Sequence, residues 1–338
     1  MIDRHPLHPS RLPGGRLRMS WLLLTLALAV GLWAAPAQAQ KKISFAYPSV
    51  TDMGDIPSLL AWKLLAEKGY EVTPRVFAKT ELAVQAVVRG DTDIGAAASI
   101  AVVKAIEQGM DLRIIGEQVK NEWQLMTPAS IRDPKQLEGK RVAYHGPFTV
   151  TEALVKWMAK HYSIRPQWMI IPGSEVRAEA LMRGQIDATP AEIADVVNVL
   201  ESRPGAFHVL ISYARIFPNL HGTVYVARTD VLQKQPEMVE AMLEAVLRMH
   251  RQIEENPGVV TEQAPKLLSG QKPSQMAAIA KDYRDLKIWE VNGGLDRARN
   301  EESLKFYIDS GLVKKQLKTE QVYATEPLER VLRRIGRR

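Results

Sequence analysis

Short apolar runs alternate along the chain with longer stretches in which apolar residues recur every three or four positions. The first pattern is typical of buried strands and the second of amphipathic helices. Between residues 43 and 119 the predicted order is strand, helix, strand, helix, strand, helix, strand, and the first helix ends at Gly69. This order predicts an α/β fold with a largely parallel sheet and right-handed crossovers.

The same alternation restarts after Thr127 and Pro128. Three further strand and helix pairs are predicted between residues 140 and 202, followed by a strand over residues 207–213. The stretch HGTVYVAR then has the character of a return strand. We therefore predict two lobes, each with a mainly parallel sheet flanked by helices. The predicted divisions are 1–39 for a signal peptide, 40–127 for the first part of lobe I, 128–219 for lobe II, and 220–338 for the return to lobe I and the C-terminal helices.

A nine-residue pattern occurs twice, as VVRGDTDIG and as LMRGQIDAT. Its glycines, Gly90 and Gly184, lie 94 residues apart, which is too far for a solenoid repeat and indicates two similar lobes. A glycine at a helix end readily adopts the left-handed conformation that closes the helix. The acids Asp93 and Asp187 stand at strand starts, where a short polar side chain bonds to nearby backbone. We therefore assign the repeat a structural role.

The C-terminal part of the chain is predicted to be mostly helical. A helix over residues 235–257 has a stripe of methionine, valine and leucine, which is more typical of core packing than of a cofactor site. We expect this region to pack on the first lobe. The last residues, LERVLRRIGRR, are rich in arginine but lack interleaved aromatic residues. A solvated last helix turn is therefore preferred over a nucleic-acid or membrane patch.

The first 39 residues have the features of a cleaved signal peptide. Four arginines precede the apolar run WLLLTLALAVGLWAA, and the triplet Ala37-Gln38-Ala39 predicts cleavage before Gln40. The run is shorter than the roughly 20 residues of a membrane-spanning helix, which disfavours an uncleaved anchor. Cleavage removes four arginines and one aspartate and changes the net charge from +7 to +4. With 0 Cys, the chain has neither a disulfide nor a lipid-carrying cysteine, so we expect a free protein of a Gram-negative periplasm.

Four segments, in order, carry a family resemblance: AVVRGDTDIGAAA, LEGKRVAYHGPFTVTEAL, AEALMRGQIDATPAEIADVV and DVLQKQPEMVEAMLEAVLRMH. Over about residues 43–257 the chain resembles the substrate-binding proteins of ABC importers, in particular the branch that binds aliphatic sulfonates, taurine, nitrate and thiamine precursors. The resemblance implies a type II periplasmic-binding-protein fold, with a two-strand hinge between two lobes and a ligand held between them. It also implies hinge closure and delivery of the ligand to a membrane permease with its ATPase. We expect a monomer that binds no nucleic acid and captures a small polar or aromatic organic molecule, with an anionic or zwitterionic ligand among the alternatives.

Candidate ligand contacts follow the predicted strands, because parallel sheets collect ligand groups at the carboxyl ends of their strands. The predicted contacts are Tyr47, Ser49, Thr51, Asp52, Lys79, Thr80, Ala98, Ser99, Trp123, His145, Phe148, Thr149, Thr189, Glu192 and His221. Several of them have a structural alternative. The alternative role is a helix cap for Thr149 with Glu152, Thr189 with Glu192, Ser99 and Thr80. For His145 and His221 it is that of a turn residue whose hydrogen bonds are satisfied within the protein.

The charges around this site bear on the class of ligand. Asp52, Asp55 and Glu192 would repel a bare sulfonate or nitrate, so a ligand with donor or cationic groups fits better, with or without an acidic or aromatic part. Lys79 is the one cation predicted near the cleft. The aromatic rings of Tyr47, Trp123 and Phe148 are candidates to enclose a planar ligand, and Trp123 is equally suited to packing in the hinge.

An enzyme is the main alternative of another class. The sequence contains no GxSxG, HExxH, Walker or GxGxxG motif, has no cysteine nucleophile, and has histidines without metal-ligand spacing. We therefore predict a binding protein without catalytic residues, metal or cofactor. A periplasmic enzyme, or a sensor module on the same fold, stays as the alternative.

Overall fold

The computed structural model describes residues 41–268 and 273–338, and the predicted signal peptide and cleavage site lie outside these ranges. The described strands are β1 (Lys41–Tyr47), β2 (Tyr70–Val76), β3 (Ile94–Ala98), β4 (Leu112–Lys120), β5 (Gln124–Pro128), β6 (Arg141–Tyr144), β7 (Gln167–Ile170), β8 (Thr189–Ala191), β9 (Phe207–Ser212) and β10 (His221–Arg228). The described α-helices are α1 (Ile56–Glu67), α2 (Thr80–Arg89), α3 (Ser99–Glu107), α4 (Val150–Tyr162), α5 (Ser174–Met182), α6 (Ile193–Ser202), α7 (Tyr213–Ile216), α8 (Thr229–Lys234), α9 (Pro236–Glu255), α10 (Gly258–Leu267), α11 (Pro273–Asp285), α12 (Arg297–Asp309), α13 (Thr319–Val322) and α14 (Glu326–Ile335).

The first lobe is built on a five-stranded sheet with the order β2-β1-β3-β10-β4. Strand β1 pairs in parallel with β2 and β3, whereas β10 is antiparallel to both β3 and β4. The return strand predicted from the sequence therefore inserts between two strands of the first lobe.

The second lobe repeats this order with its own strands. Strand β5 is antiparallel to β8 and β9, β6 is parallel to β7, and a single bridge between Val142 and Ala188 joins β6 to β8. The resulting order, β7-β6-β8-β5-β9, corresponds to that of the first sheet, with β5 in the place of β10. Each lobe thus contains one antiparallel strand that arrives from the other lobe, and the predicted two-lobed α/β fold is confirmed. The exact divisions at 127/128 and 219/220 stay predictions.

Two neighbouring connections form the hinge between the lobes. The backbone N–H of Asn121 donates to the carbonyl of Leu220 at 3.0 Å, and the Asn121 side chain donates to the carbonyl of Tyr213 at 2.9 Å. The N–H of Ala214 donates to the carbonyl of Trp123 at 3.3 Å. The two crossings are therefore held together, as the resemblance implied.

The repeated Arg-Gly pattern has the same structural role in both lobes. Gly90 and Gly184 adopt φ values of 80° and 68° at the ends of α2 and of the helix that precedes β8. The Asp93 carboxylate accepts from the N–H of Ser44 on β1 at 2.8 Å, and Asp187 accepts from the N–H of Arg141 on β6 at 2.9 Å. The Asp93 carboxylate therefore connects the start of β3 to β1, and the Asp187 carboxylate connects the start of β8 to β6.

The C-terminal helices pack on both lobes. The predicted stripe on α9 is buried, with Met242 at 0% exposure, and this helix packs on α1 and α14. Helix α11 instead packs on α6 of the second lobe, so the expectation that the whole region covers the first lobe was wrong for α11. Among the terminal arginines, Arg330 and Arg334 form ion pairs with Glu240 on α9 and are thus bound to the body of the protein. None of the helices within the described ranges combines the length and hydropathy of a membrane span.

Candidate ligand-binding site

A cavity of about 100 Å³ lies where the two lobes and the hinge meet. The first lobe contributes the turn that follows β1, the hinge contributes the end of β4 and the crossing to β5, and the second lobe contributes the start of α6. The lining residues are Pro48, Ser49, Asp52, Gly54, Asp55, Gln118, Val119, Lys120, Glu122, Trp123, Glu192, Gly222 and Thr223. A cavity bounded by both lobes is the arrangement in which hinge closure traps a ligand.

Asp52 and Asp55 are positioned by a reciprocal cap on a short 3₁₀ turn, Met53–Asp55. The Asp52 carboxylate accepts from the N–H of Gly54 at 2.8 Å, and the Asp55 carboxylate accepts from the N–H of Asp52 at 3.0 Å. This local pairing fixes two carboxylates at the amino end of α1, where backbone donors partly compensate their charge.

Glu122 joins three parts of the molecule. It is 7% exposed, and its Oε2 accepts from the Tyr283 hydroxyl at 2.8 Å and from the N–H of Ile193 at 3.2 Å. Tyr283 belongs to α11 and Ile193 is the first residue of α6, whereas Glu122 lies in the hinge. The carboxylate therefore links the hinge to the second lobe and to the C-terminal region.

Gln118 supplies a buried acceptor that has no partner. Its side chain is 2% exposed, and its Nε2 donates to Asp55 Oδ1 at 2.5 Å. This bond orients the amide, and the remaining oxygen, Oε1, has no hydrogen-bond partner in the described structure. Buried polar atoms are normally paired, so an unpaired acceptor beside a cavity calls for an explanation.

The cavity carboxyl groups are held together under mutual repulsion. Burial, followed by repulsion from Asp195, raises the pKa of Asp52 to about 6. Burial, followed by repulsion from Asp52, raises the pKa of Glu122 to about 8. Burial also raises the pKa values of Asp55 and Glu192 well above their ordinary range, with Asp52 the next cause for each. The site therefore concentrates carboxyl groups whose ionised forms are destabilised, and it favours the binding of protons or other cations.

Lys120 is the buried cation that lines the cavity, and a second buried cation, Arg177, is bound within the second lobe. Its guanidinium donates to Thr189 Oγ1 at 3.0 Å, to the carbonyl of Gly173 at 2.9 Å and to two further carbonyls, and it stacks at 5.7 Å from the Trp123 ring centroid. Burial lowers the pKa of Arg177 to about 10. Arg177 supports the cavity wall from behind and is not among the lining residues.

The structure brings four of the predicted contacts to the cavity. These are Ser49, Asp52, Trp123 and Glu192. Glu192 is the N-cap residue of α6, and its carboxylate makes no hydrogen bond or ion pair to any residue of the described chain.

Three predicted contacts from the first lobe are turned into the core or the hinge. The Tyr47 hydroxyl pairs with Ser58 Oγ at 2.9 Å. Ser99 Oγ donates to the carbonyl of His221 at 2.7 Å, and Thr80 Oγ1 accepts from the N–H of Ala98 at 3.0 Å. Ser99 and Thr80 are the first residues of α3 and α2 and not the N-caps, which are Ala98 and Lys79. Lys79, Thr51 and Ala98 do not line the cavity.

The second-lobe candidates also lie away from the cavity. His145 Nδ1 accepts from the N–H of Gly173 at 3.3 Å, and Thr149 caps α4 by accepting from the N–H of Glu152 at 3.3 Å. The ring of Phe148 lies 5.2 Å from Lys104 Nζ, which belongs to the first lobe. Phe148 therefore contacts the other lobe outside the cavity.

Two of the predicted structural alternatives are decided by hydrogen bonds. Thr189 is buried in β8 and accepts from Arg177, so the expected capping box with Glu192 was wrong. His221 is fully buried, with Nδ1 at 2.6 Å from Glu117 Oε1 and Nε2 at 3.0 Å from Asn300 Oδ1. Both ring nitrogens of His221 thus have hydrogen-bond partners within the protein, on Glu117 and Asn300.

Larger grooves occur elsewhere on the surface, but their polar side chains are mostly exposed or half-buried. One groove of about 600 Å³ lies beside α4 and α12, where the rings of Trp157, Phe217 and Phe306 pack edge to face or tilted against one another. Its lysines are exposed and its aromatic groups already contact each other. The smaller cavity between the lobes is therefore the better candidate for a specific site, because its polar groups converge and are withdrawn from water.

The family model described as NMT1/THI5 like matches residues 65–259, which is more than half of the chain. The chain belongs to the NMT1/THI5-like family. The matched part runs from α1 to the start of α10 and includes Gln118, Glu122 and Glu192. The predicted family resemblance is thereby confirmed.

Known relatives of this NMT1/THI5-like protein include binding proteins. The Taurine-binding periplasmic protein of Escherichia coli (strain K12) is 29% identical over 206 residues, which cover 58% of this chain and 62% of that relative. The match thus spans less than two thirds of the relative's length.

Two solved structures resemble the NMT1/THI5-like chain in fold. The periplasmic nitrate-binding protein NrtA from Synechocystis PCC 6803 has a TM-score of 0.72 at 10% identity, with 88% of this chain and 89% of that chain covered. The periplasmic aliphatic sulphonate binding protein SsuA from Escherichia coli has a TM-score of 0.66 at 16% identity, with 84% and 92% covered. These similarities establish the periplasmic-binding-protein fold and confirm the predicted fold class.

Proposed function

We propose that this protein is the periplasmic solute-binding component of an ABC importer. It captures a small polar or aromatic organic molecule between its lobes by hinge closure and delivers it to a membrane permease with its ATPase. It acts as a monomer after removal of the signal peptide and performs no chemistry on the ligand. The observation that carries the proposal is the cavity lined by Asp52 from the first lobe, Glu122 and Trp123 from the hinge, and Glu192 from the second lobe.

Closure can be measured with two fluorophores, because the chain has 0 Cys and introduced cysteines are unique labels. Val76→Cys on the first lobe and Val176→Cys on the second replace residues that are 56% and 49% exposed. We expect energy transfer between these labels to increase when a ligand binds. A pair within the first lobe, Val76→Cys with Met110→Cys, is the control and should not change.

The ligand panel for this assay contains primary amines, amidines, aminopyrimidines, zwitterions, alkanesulfonates and nitrate. Closure by any one chemical class supports a solute-binding function, and stimulation of ATP hydrolysis by the reconstituted permease and ATPase would then establish import. Folded, ligand-free protein that closes on no compound of the panel would contradict the proposed function and favour the enzyme or sensor alternative.

A further inference from the structure

The class of ligand can be inferred from the polar atoms of the cavity that have no hydrogen-bond partner within the protein. The cavity acids differ in this respect. Asp55 accepts from the Asp52 N–H and from Gln118, and Glu122 accepts from Tyr283 and the Ile193 N–H. The protein itself therefore satisfies oxygens on both of these inner carboxyl groups.

Asp52 and Glu192 are left with free acceptor capacity. Asp52 uses Oδ1 to accept from the Gly54 N–H, and its second oxygen has no hydrogen bond within the described chain. The Glu192 carboxylate has none at all within the same residues. The two groups come from opposite lobes, and repulsion from Asp52 is the main cause after burial of the raised pKa of Glu192. A closed cleft thus brings two incompletely compensated carboxyl groups toward one another.

Gln118 is an independent indication of a donor-bearing ligand. Its Oε1 is buried without a partner, and Asp55 holds the amide Nε2, which fixes the oxygen as the free atom. An unpaired buried acceptor is destabilising until a donor reaches it. Because Gln118, Asp52 and Glu192 line the same cavity, one ligand group with several N–H donors can donate to all three side chains.

The basic residues nearby offset only part of this acidity, because the attraction of Arg177 is the smallest of the causes that act on the pKa of Glu192. Arg177 donates to Thr189 and to backbone carbonyls behind the wall. Lys120 is the basic residue among those lining the cavity, but the acids that act most strongly on it are Glu117 and Glu290, outside the cavity. Within the described ranges, no three histidine, aspartate or glutamate side chains are arranged to hold a metal ion. The charge balance therefore favours an organic cation over an anion or a metal.

We propose that the ligand is anchored by a compact organic cation, a primary ammonium or an amidinium, which donates to the side-chain oxygens of Asp52, Gln118 and Glu192. This inference rests on the proposed function and specifies its substrate class. The small volume of the cavity limits the anchored group to a few heavy atoms. A sulfonate or nitrate that contacts Asp52, Gln118 and Glu192 would face three acceptors.

The test compares compounds that share a carbon skeleton but differ in the charge of the polar head group. The probes are butylamine, butanol and butanesulfonate, together with benzamidine, benzamide and benzenesulfonate, and the readouts are closure of the labelled lobes and calorimetric binding. We expect binding of the amine and amidine, and at least tenfold weaker binding of the neutral isosteres and the sulfonates. Magnesium, calcium and zinc chlorides are tested alone.

Variants separate the cavity groups from general charge effects. Glu192→Gln and Gln118→Leu should each weaken binding of the cationic probes at least tenfold, whereas Glu179→Gln, an exposed acid on α5, should leave it unchanged. Denaturation curves and the unliganded spectra show whether each variant is folded, and Asp52→Asn is a second variant that should weaken binding of the cation in the same way. Together these variants keep the inference testable if one of them fails to fold.

The outcomes distinguish this inference from the proposed function. Closure on sulfonates, nitrate or the neutral isosteres with equal or higher affinity overturns the cationic anchor but preserves a solute-binding function. Closure on a metal salt alone also overturns the organic cation. Absence of closure with every probe, amines and amidines included, overturns both.

Discussion

The acidic cavity predicts that the ligand-free protein closes at low pH and opens as the pH rises. The titratable groups that line the cavity are Asp52, Asp55, Lys120, Glu122 and Glu192, and Asp195 and Glu175 also act on Asp52, with Arg177 behind the wall. Burial raises the pKa of Asp52 from 3.8 to about 6. The closed state therefore binds this proton more tightly than an open, hydrated state does.

The sign and size of the effect follow from this difference. A raised carboxyl pKa stabilises the closed state fully below about pH 4, and this contribution is lost as the pH rises through 6. If opening fully hydrates Asp52, the shift of about two pKa units corresponds to about 3 kcal/mol, or a factor of more than 100 in the ratio of closed to open protein. Glu122, whose pKa is raised to about 8, extends the trend toward neutral pH.

The assay is energy transfer between labels at Val76→Cys and Val176→Cys without ligand, measured between pH 4.5 and 8. We expect transfer to fall as the pH rises, and Asp52→Asn should flatten the curve below pH 6. Glu179→Gln is the control and should leave the curve unchanged. Transfer that stays constant or increases with pH would refute the reasoning, because the carboxyl groups would then not be brought together by closure.

Three further predictions concern the stability of the fold, and urea denaturation is the measurement for each. Asp93→Ala leaves the Ser44 N–H and hydroxyl without their acceptor and should destabilise the protein by about 1–3 kcal/mol, with Asp187→Ala giving a similar loss in the second lobe. Glu117→Gln removes the buried charge that pairs with His221 at 2.6 Å and Arg299 at 2.9 Å, and it should cost about 3–5 kcal/mol. Met242→Ala opens a void in the core between α9 and α1 and should cost about 2–5 kcal/mol. Losses below about 0.5 kcal/mol, the size expected for the exposed control Glu179→Gln, would contradict the assigned roles.

The order of strands and helices was predictable because each element carries its own local signal. Gly90 and Gly184 mark helix ends, and the repeated pattern correctly indicated two similar lobes. The partners of Asp93 and Asp187 were not predictable, because they lie 49 and 46 residues away. The placement of α11 on the second lobe likewise depends on tertiary packing and has no local signature.

The predicted residues that line the candidate site are polar residues that directly follow a strand or precede a helix, together with Trp123 at the hinge crossing. Asp52 and Glu192 satisfied that rule, as did Ser49. Gln118 and Glu122 were missed: Gln118 belongs to the apolar strand β4, and Glu122 lies in the short crossing after it. The polar run EQVKNE at the end of this strand, leading into the hinge, was the available signal.

The same rule selected residues that the fold uses elsewhere. Tyr47 and His221 stand at strand termini, yet their polar atoms bond to Ser58 and to Glu117. Sequence spacing gives the end of the sheet at which a side chain lies but not the direction of its polar atoms. That direction is set by partners as many as 104 residues away.

Asp52, Glu122 and Glu192 lie on the first lobe, the hinge and the second lobe, so the charge of the ligand affects how readily the lobes close. Without a cation, closing the lobes brings Glu192 toward Asp52 and Glu122 and is opposed by their repulsion; with a cation, the same contacts become favourable. Glu192→Gln should therefore have two opposite effects: weaker binding of a cationic ligand and a larger closed fraction in its absence. A residue that merely supports the wall would change neither quantity selectively, so measuring both in one variant separates a gating carboxylate from a structural one.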